Sequence, residues 1–186
     1  MRLIVAVTGA SGAVLAARLL EHLAGHETHL IVSDAARAVL RHELGREDLP
    51  ATARYGEDEW SSPLASSSFL ADGMVIVPCS MKTLAMVAHG LSSNLIGRAA
   101  DNVLRTGRRL VLVPRETPLS LAAIENMRLA KMAGAIVLPP NMAFYFRPQT
   151  LDDMVDFVVG KILDALNLPH ALYRRWEGPA PSEDEP

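Results

Sequence analysis

Short apolar runs alternate along this chain with longer segments of helical periodicity, and this alternation predicts βαβ units around a parallel sheet. Strands are predicted at five runs: Leu3–Val7, His29–Val32, Met74–Val77, Leu110–Val113 and Ala135–Leu138. Helices are predicted at Ala13–Leu23, Asp34–Leu44, 81–89, 94–106, 119–132 and Leu151–Leu166. Residues 45–72 are irregular and rich in Ser, Asp, Glu and Pro, which indicates a surface excursion. The predicted fold class is α/β, a Rossmann-like or flavodoxin-like three-layer sandwich with a parallel sheet.

Length and composition limit the number of domains and the kind of protein that this chain can be. At 186 residues the chain fits a single domain with a substantial core. We assign residues 1–177 to that domain and expect the acidic, Pro-rich residues 178–186 to be a disordered tail. A net charge of −3 does not favour a nucleic-acid binder, and no apolar run is long enough for a membrane span. One cysteine and an amino terminus that starts directly with strand-like sequence fit a cytoplasmic protein.

Three of the predicted strands end in short polar turns, and in a parallel α/β sheet ligands bind at the carboxyl ends of the strands. The turns are Thr8–Gly12, Pro78–Thr83 and Pro114–Pro118. Together they supply glycines, small hydroxyls, a lysine and an arginine, which are suitable donors for an anion. The sequence therefore predicts one anionic-ligand site assembled from three distant segments.

The first turn favours a mononucleotide over a nicotinamide dinucleotide. A dinucleotide fingerprint requires a third glycine for close helix–strand packing, and Leu15 stands at that position. The second strand ends in Ser33, a hydroxyl donor suited to phosphate, instead of an acid placed for a ribose. We therefore expect a phosphate held by Ser11 and Ser33, with a tight turn that binds no ligand as the alternative.

The other two turns each allow two interpretations. Ser80 is a natural helix N-cap, so Ser80–Thr83 either binds the ligand or only caps a helix. Cys79 follows a buried strand and has no obvious histidine partner, which favours a structural thiol over a nucleophile. Arg115 suits a phosphate or a ring carbonyl, and Glu116 beside an anion could move a proton. A surface ion pair of Arg115 with Glu116 is the alternative.

Taken together, these segments resemble the UbiX-like flavin prenyltransferases, and the resemblance covers nearly all of Arg2 to Trp176. Six ordered motifs carry it: Thr8–Gly12, Pro78–Thr83, Asn94–Asp101, Leu110–Leu119, Glu125–Met127 and Phe144–Thr150. The resemblance implies a Rossmann-like homo-dodecamer that binds FMN. It implies that a dimethylallyl group is transferred, without a metal, from dimethylallyl monophosphate or diphosphate to N5 and C6 of reduced FMN. It also implies that the prenylated FMN serves UbiD-type decarboxylases.

The resemblance further implies roles for individual residues. FMN would contact Gly9, Ala10, Ser11, Ser33, Ser80, Met81, Lys82, Thr83 and Arg115. The prenyl phosphate would lie among Arg98, Arg105, Tyr145 and Lys161, partly across subunit contacts. Ser11, Glu43 and Glu116 match positions implicated in proton movement, and Trp176 matches an aromatic residue that closes over the site. Since Arg98, Arg105, Lys161 and Tyr145 could stabilise a leaving phosphate, they could take the role that Mg²⁺ plays in many prenyl transfers.

Simpler interpretations stand beside these roles. Tyr145 could be a core or interface aromatic, Lys161 a solvated residue, and Trp176 an interface anchor. Glu43 could pair with Arg41 or Arg46. The chain also departs from the family, which commonly has tyrosine at Leu15, often arginine at Lys161, and in some members lysine at Arg105. The preference between monophosphate and diphosphate therefore stays open.

Three other functions compete with prenyl transfer. An FMN-dependent cysteine-type decarboxylase is suggested by Asn141-Met142, but its catalytic histidine has no counterpart here. An FMN-binding carrier or storage protein without catalysis is compatible with the departures at Leu15 and Lys161. A nicotinamide-dependent reductase conflicts with the incomplete fingerprint.

Overall fold

Six parallel strands form one sheet, and their spatial order, when they are numbered along the chain, is 3-2-1-4-5-6, which is the Rossmann order. The computed structural model of the protein describes residues 1–178, so the tail predicted for 178–186 lies, apart from Gly178, outside the described residues. The strands are β1 (Arg2–Val7), β2 (Glu27–Val32), β3 (Ala53–Gly56), β4 (Gly73–Cys79), β5 (Arg109–Pro114) and β6 (Ile136–Val137). The predicted α/β fold with a parallel sheet is confirmed.

Six helices cover the two faces of this sheet. They are α1 (Ala13–His22), α2 (Asp34–Leu44), α3 (Met81–Ala88), α4 (Leu95–Arg105), α5 (Leu121–Met132) and α6 (Leu151–Ala165). Each lies within two residues of the predicted bounds at either end. A short 3₁₀ turn at Pro63–Ala65 packs against α4. None of the helices within residues 1–178 is long and apolar enough to span a membrane.

The alternation of side chains along the strands divides the interior into two cores. Leu3, Val5 and Val7 of β1 pack with α1, α2 and α6, whereas Ile4 and Ala6 pack with α3, α4 and α5. This period of two is what a parallel sheet covered on both faces requires. As a result, α4 and α6 lie on opposite faces of the sheet.

Residues 45–72 are not only a surface excursion, and that part of the prediction is wrong. Ala53–Gly56 forms β3, an edge strand that pairs with β2 from His29 to Val32. It is only four residues long and each residue is at least partly exposed, so it lacks the apolar run that marks the inner strands. The predicted strand Ala135–Leu138 contains the shorter β6, where Ile136 and Val137 pair with β5.

Candidate functional site

The three polar turns are joined at one edge of the sheet by hydrogen bonds around Thr8. The Thr8 hydroxyl donates to the carbonyl oxygen of Pro78 at 2.8 Å and accepts from the N–H of Ser80 at 2.8 Å. The N–H of Arg115 in turn donates to the carbonyl oxygen of Cys79 at 3.2 Å. Thr8 is 1% exposed, so these bonds are shielded from water. The predicted assembly of three distant segments at one edge is therefore what the structure shows.

The two glycines of the first turn, Gly9 and Gly12, are each required for a different structural reason. A Cβ on Gly9 would lie 2.5 Å from the Cβ of Ala35, so the turn can approach α2 only without a side chain. Gly12, the residue before α1, has a φ of 111°, which L side chains rarely adopt. Leu15, at the position of the absent third glycine, is buried in the core beneath α1.

The amino terminus of α1 is occupied by a carboxylate of the chain itself. Glu43 accepts from the N–H of Gly12 at 3.0 Å and from the N–H of Ala13 at 2.8 Å. Desolvation raises the pKa of Glu43, but hydrogen bonds from Ser11, Ala13 and Gly12, with the Arg115 charge, outweigh it and leave that pKa below its ordinary value. The carboxylate thus occupies the N–H groups of Gly12 and Ala13, which are then not available to a ligand phosphate.

The alternative interpretation of Glu43 as a partner of Arg41 is wrong, because Arg41 pairs with Glu47. Ser11 is exposed at the same edge, and its hydroxyl is hydrogen-bonded to the Glu43 carboxylate. Two other helix amino termini at this edge, those of α2 and α3, can bind a phosphate.

Both of these helices begin at a serine that caps the helix and can still bind a ligand. The Ser33 oxygen accepts from the N–H of Ala36 at 3.1 Å, and the Ser80 oxygen accepts from the N–H of Thr83 at 3.3 Å. A hydroxyl has one donor besides its acceptor lone pairs, so the Ser33 hydrogen stays available. The Ser80 and Thr83 hydroxyl oxygens are 3.1 Å apart, and one of the two keeps a hydrogen for a ligand. Capping and ligand binding are therefore compatible.

Two exposed cations lie at the same edge. Within residues 1–178, the side chains of Lys82 and Arg115 form no ion pair and no hydrogen bond. Glu116 accepts from the N–H of Thr117 at 3.0 Å and does not pair with Arg115, so the surface-ion-pair interpretation is wrong. Gly9, Ala10, Met81 and Thr83 complete this edge, Ala10 and Thr83 being buried. Hydroxyls, helix amino termini and unpaired cations together fit the phosphate and carbonyl oxygens of FMN.

Cys79 lies beneath this edge and takes no part in its chemistry. Its side chain is fully buried, and burial raises the pKa of the thiol well above its ordinary range. A thiol without thiolate character is a poor nucleophile, in agreement with the structural role expected for it.

Arg98 and Arg105 lie about two turns apart on α4, around a shared acid. Asp101 is 3.4 Å from Arg98 and 3.7 Å from Arg105. Arg98 also donates to the carbonyl oxygen of Ala65 at 2.9 Å, and Arg105 donates to the side chain of Asn102 at 2.6 Å. Sequence reasoning missed Asp101, although its spacing of three and four residues from the two arginines was a usable signal.

Tyr145, Lys161 and Trp176 come together beside α6. The ring of Tyr145 meets the rings of Trp176 and Phe157 edge-on, each with centroids 6.0 Å apart. The Lys161 ammonium lies 4.7 Å from the centroid of the Tyr173 ring and 5.4 Å from that of Phe157. Lys161 is therefore a half-buried cation on an aromatic wall, and the interpretation as a purely solvated residue is wrong.

The two halves of the predicted phosphate site do not meet within one chain. Arg98 and Arg105 belong to α4, which packs on one face of the sheet, and Lys161 belongs to α6 on the other. A single chain thus presents two separate basic surfaces, each half of the donor set predicted for a prenyl phosphate.

Comparison with known proteins adds independent information. The family model described as Flavoprotein matches residues 1–163. The flavin prenyltransferase UbiX of Thermoplasma acidophilum is 45% identical over 181 residues, covering 95% of this chain and 100% of the relative.

Two solved structures are similar throughout. The dodecameric FMN-dependent UbiX-like decarboxylase from Escherichia coli O157:H7 superposes with a TM-score of 0.90 at 43% identity, covering 96% of this chain and 100% of that one. AnUbiX in complex with FMN and dimethylallyl pyrophosphate superposes with a TM-score of 0.91 at 41% identity, covering 96% and 98%.

Proposed function

The chain belongs to the flavoprotein family and, within it, to the UbiX-like flavin prenyltransferases, and on this premise we propose that it prenylates FMN. The reaction joins a dimethylallyl group from dimethylallyl monophosphate or diphosphate to N5 and C6 of reduced FMN. The observation that carries the proposal is the Lys161 ammonium on the aromatic wall beside Tyr145 and Trp176, because a cation next to aromatic faces suits an allylic phosphate.

The basic residues account for departure of the phosphate. Breaking the allylic C–O bond leaves negative charge on the phosphate, which Arg98, Arg105 and Lys161 stabilise together with the Tyr145 hydroxyl. The aromatic face of Trp176 stabilises positive charge on the allylic fragment and limits access of water. When bound, reduced FMN supplies the N5 nucleophile and the C6 carbon at which the new ring closes.

The acidic residues account for proton movement. Glu43 is held ionised by its hydrogen bonds, so it can accept a proton through the Ser11 hydroxyl. Glu116 is exposed beside Arg115. We assign to it, or to the departing phosphate, the delivery of a proton to the prenyl alkene and the uptake of one afterwards. Lys82, Arg115 and the hydroxyls of Ser33, Ser80 and Thr83 bind and orient FMN.

The setting of the reaction follows from the same premise. We propose a homo-dodecamer, the assembly of the Escherichia coli relative, in which α4 of one subunit lies near α6 of another and so completes the phosphate site. A single reduced cysteine and a substrate flavin in its reduced form suit the cytoplasm. The prenylated FMN is passed to a UbiD-type decarboxylase.

Two other functions make different demands on the site. A carrier or storage protein needs the FMN edge but has no use for a second, basic and aromatic site. A cysteine-type decarboxylase has no phosphate leaving group, so the four residues Arg98, Arg105, Tyr145 and Lys161 would have no role in its chemistry.

Absorbance spectra of the protein with bound flavin, recorded anaerobically after reduction, separate these functions. We expect the spectrum to change when dimethylallyl monophosphate or diphosphate is added and to stay constant with inorganic phosphate alone. A flavin spectrum that neither donor alters would contradict prenyl transfer and favour the carrier.

A further inference from the structure

The segment that carries Trp176 is fastened to α6 by one carboxylate. Residues 167–177, the carboxyl-terminal strap, leave α6 at Asn167, which adopts a φ of 59°, and run back along the helix. Asp164, in the last turn of α6, accepts hydrogen bonds from three strap side chains, His170, Tyr173 and Arg175. No residue of the strap was given a role from the sequence except Trp176.

Asp164 and the three strap side chains that donate to it, His170, Tyr173 and Arg175, form a cluster that we call the clasp. One carboxylate oxygen is 3.0 Å from Nε2 of His170 and 2.7 Å from the Arg175 guanidinium, which reaches the second oxygen at 3.3 Å. The Tyr173 hydroxyl donates to that second oxygen. Because Nδ1 of His170 accepts from the N–H of Leu172 at 3.2 Å, Nε2 carries the hydrogen that Asp164 accepts. Desolvation raises the pKa of Asp164, but its hydrogen bonds outweigh this and hold it well below its ordinary range.

An independent feature of α6 makes room for the same strap. Gly160 lies in the middle of the helix, where glycine is intrinsically unfavourable. A Cβ at this position would lie 2.6 Å from Cε1 of Tyr173 and 2.7 Å from Cε1 of His170. The helix thus lacks a side chain at the point where Tyr173 and His170, two of the three hydrogen-bond donors to Asp164, pack against it.

Tyr173 of the clasp also contacts the aromatic rings and the ammonium group beside α6. Tyr173 packs 5.0 Å from Phe157 and forms the surface on which the Lys161 ammonium rests at 4.7 Å. One residue beyond Arg175, the ring of Trp176 meets that of Tyr145. Release of the strap would therefore move Trp176 and remove one of the two rings beneath Lys161.

We propose that Asp164, with the space left by Gly160, is the positioning residue of the allyl-phosphate site: it fastens the strap so that Trp176 and Tyr173 stand beside Tyr145 and Lys161. The inference rests on the proposed function and extends it to residues that touch neither flavin nor donor. It predicts that loss of the clasp weakens use of the prenyl donor while FMN binding, at the sheet edge, is kept.

The test compares Asp164→Asn with Asp156→Asn. Asp156 lies on the same helix and forms an equally bidentate pair with Arg18, at 2.6 and 2.9 Å, but does not touch the strap. We expect Asp164→Asn to raise the KM for dimethylallyl monophosphate by about tenfold with a smaller change in kcat per bound flavin, and Asp156→Asn to leave the KM unchanged. A mere loss of folded protein would lower the rate per total protein and leave both the KM and the kcat per bound flavin unchanged.

A second readout follows the strap without requiring activity. Trypsin cleavage after Arg174 or Arg175, followed by intact mass of the FMN-loaded protein, reports how often the strap opens. We expect cleavage to be at least about tenfold faster in Asp164→Asn and unchanged in Asp156→Asn. If wild-type protein prenylates no flavin, the proposed function fails, whereas the cleavage rates still decide whether the clasp exists.

Gly160→Ala keeps the proposal testable if Asp164→Asn folds poorly. Alanine favours the helix, so α6 itself should not be weakened, yet its methyl group displaces Tyr173 and His170. We expect the same rise in KM and in cleavage rate. Wild-type values of both quantities in Gly160→Ala and Asp164→Asn, or an equal change in Asp156→Asn, would overturn the proposal.

Discussion

At the scale of single residues, two side chains decide how the site edge is built, and neither role is visible in the local sequence. Thr8 joins the first turn to the second through two hydrogen bonds of its buried hydroxyl. Glu43 reaches back 31 residues to the start of α1. The turns themselves were predictable because the carboxyl ends of parallel strands are the general ligand edge of this fold. Contacts between residues so far apart in the chain depend on packing that spacing does not encode.

Replacing Thr8 tests the link between the turns. Thr8→Val keeps the shape but leaves the N–H of Ser80 without its partner and the carbonyl oxygen of Pro78 with only the backbone N–H of residue 8, so we expect the free energy of unfolding to fall by about 2 kcal/mol. Thr8→Ser keeps the hydroxyl and loses one buried methyl group, at a cost of about 1 kcal/mol. Chemical denaturation of wild type, Thr8→Val and Thr8→Ser measures these free energies of unfolding. Equal stability of the valine and serine variants would contradict the assigned role.

At the scale of elements, the inner strands and all six helices follow from apolar periodicity, whereas β3 does not. Ala53–Gly56 has one hydrogen-bonded neighbour and no buried residue, so its place is set by pairing with β2 and not by its own pattern. The strap is a similar case. Its residues have no regular secondary structure, and Asp164 and Gly160 hold it through tertiary contacts alone.

Acid titration tests the contact between α6 and the strap. The pKa of Asp164 is lower in the folded state than in the unfolded chain, so folding favours the ionised form. The resulting stability is present above the unfolded pKa and is lost as pH falls through the folded one. We expect the stability advantage of wild type over Asp164→Asn to shrink between about pH 5 and pH 3, measured by thermal unfolding. If the stabilities of wild type and Asp164→Asn changed with pH in the same way, Asp164 would contribute no such linkage.

At the scale of the whole molecule, the sheet separates what the reaction must bring together. Arg98 and Arg105 lie on one face and Lys161 on the other, so residues 1–178 of one chain do not bring together the donors proposed for a prenyl phosphate. The resemblance of the sequence to a dodecameric family implied shared sites. The residue types alone did not show which residues fall on which side of the sheet, because that depends on how each helix crosses from strand to strand.

Mixed oligomers test this division. Arg98→Ala and Lys161→Ala should each be inactive alone, whereas subunits co-expressed in equal amounts should recover about a quarter of wild-type activity, if each site draws on two subunits at random. A mixture of Arg98→Ala with Arg105→Ala is the matched control, since both residues lie on α4 and no site would receive both. We would abandon the shared site if the first mixture stayed as inactive as the control.

The most direct measurement is mass spectrometry of the flavin extracted after anaerobic incubation of the protein with reduced FMN and either dimethylallyl monophosphate or diphosphate. We expect a flavin heavier by one cyclised prenyl unit, and the more effective donor identifies the phosphate that a lysine at position 161 selects. Unmodified FMN recovered from both incubations, with the flavin still tightly bound, would contradict prenyl transfer.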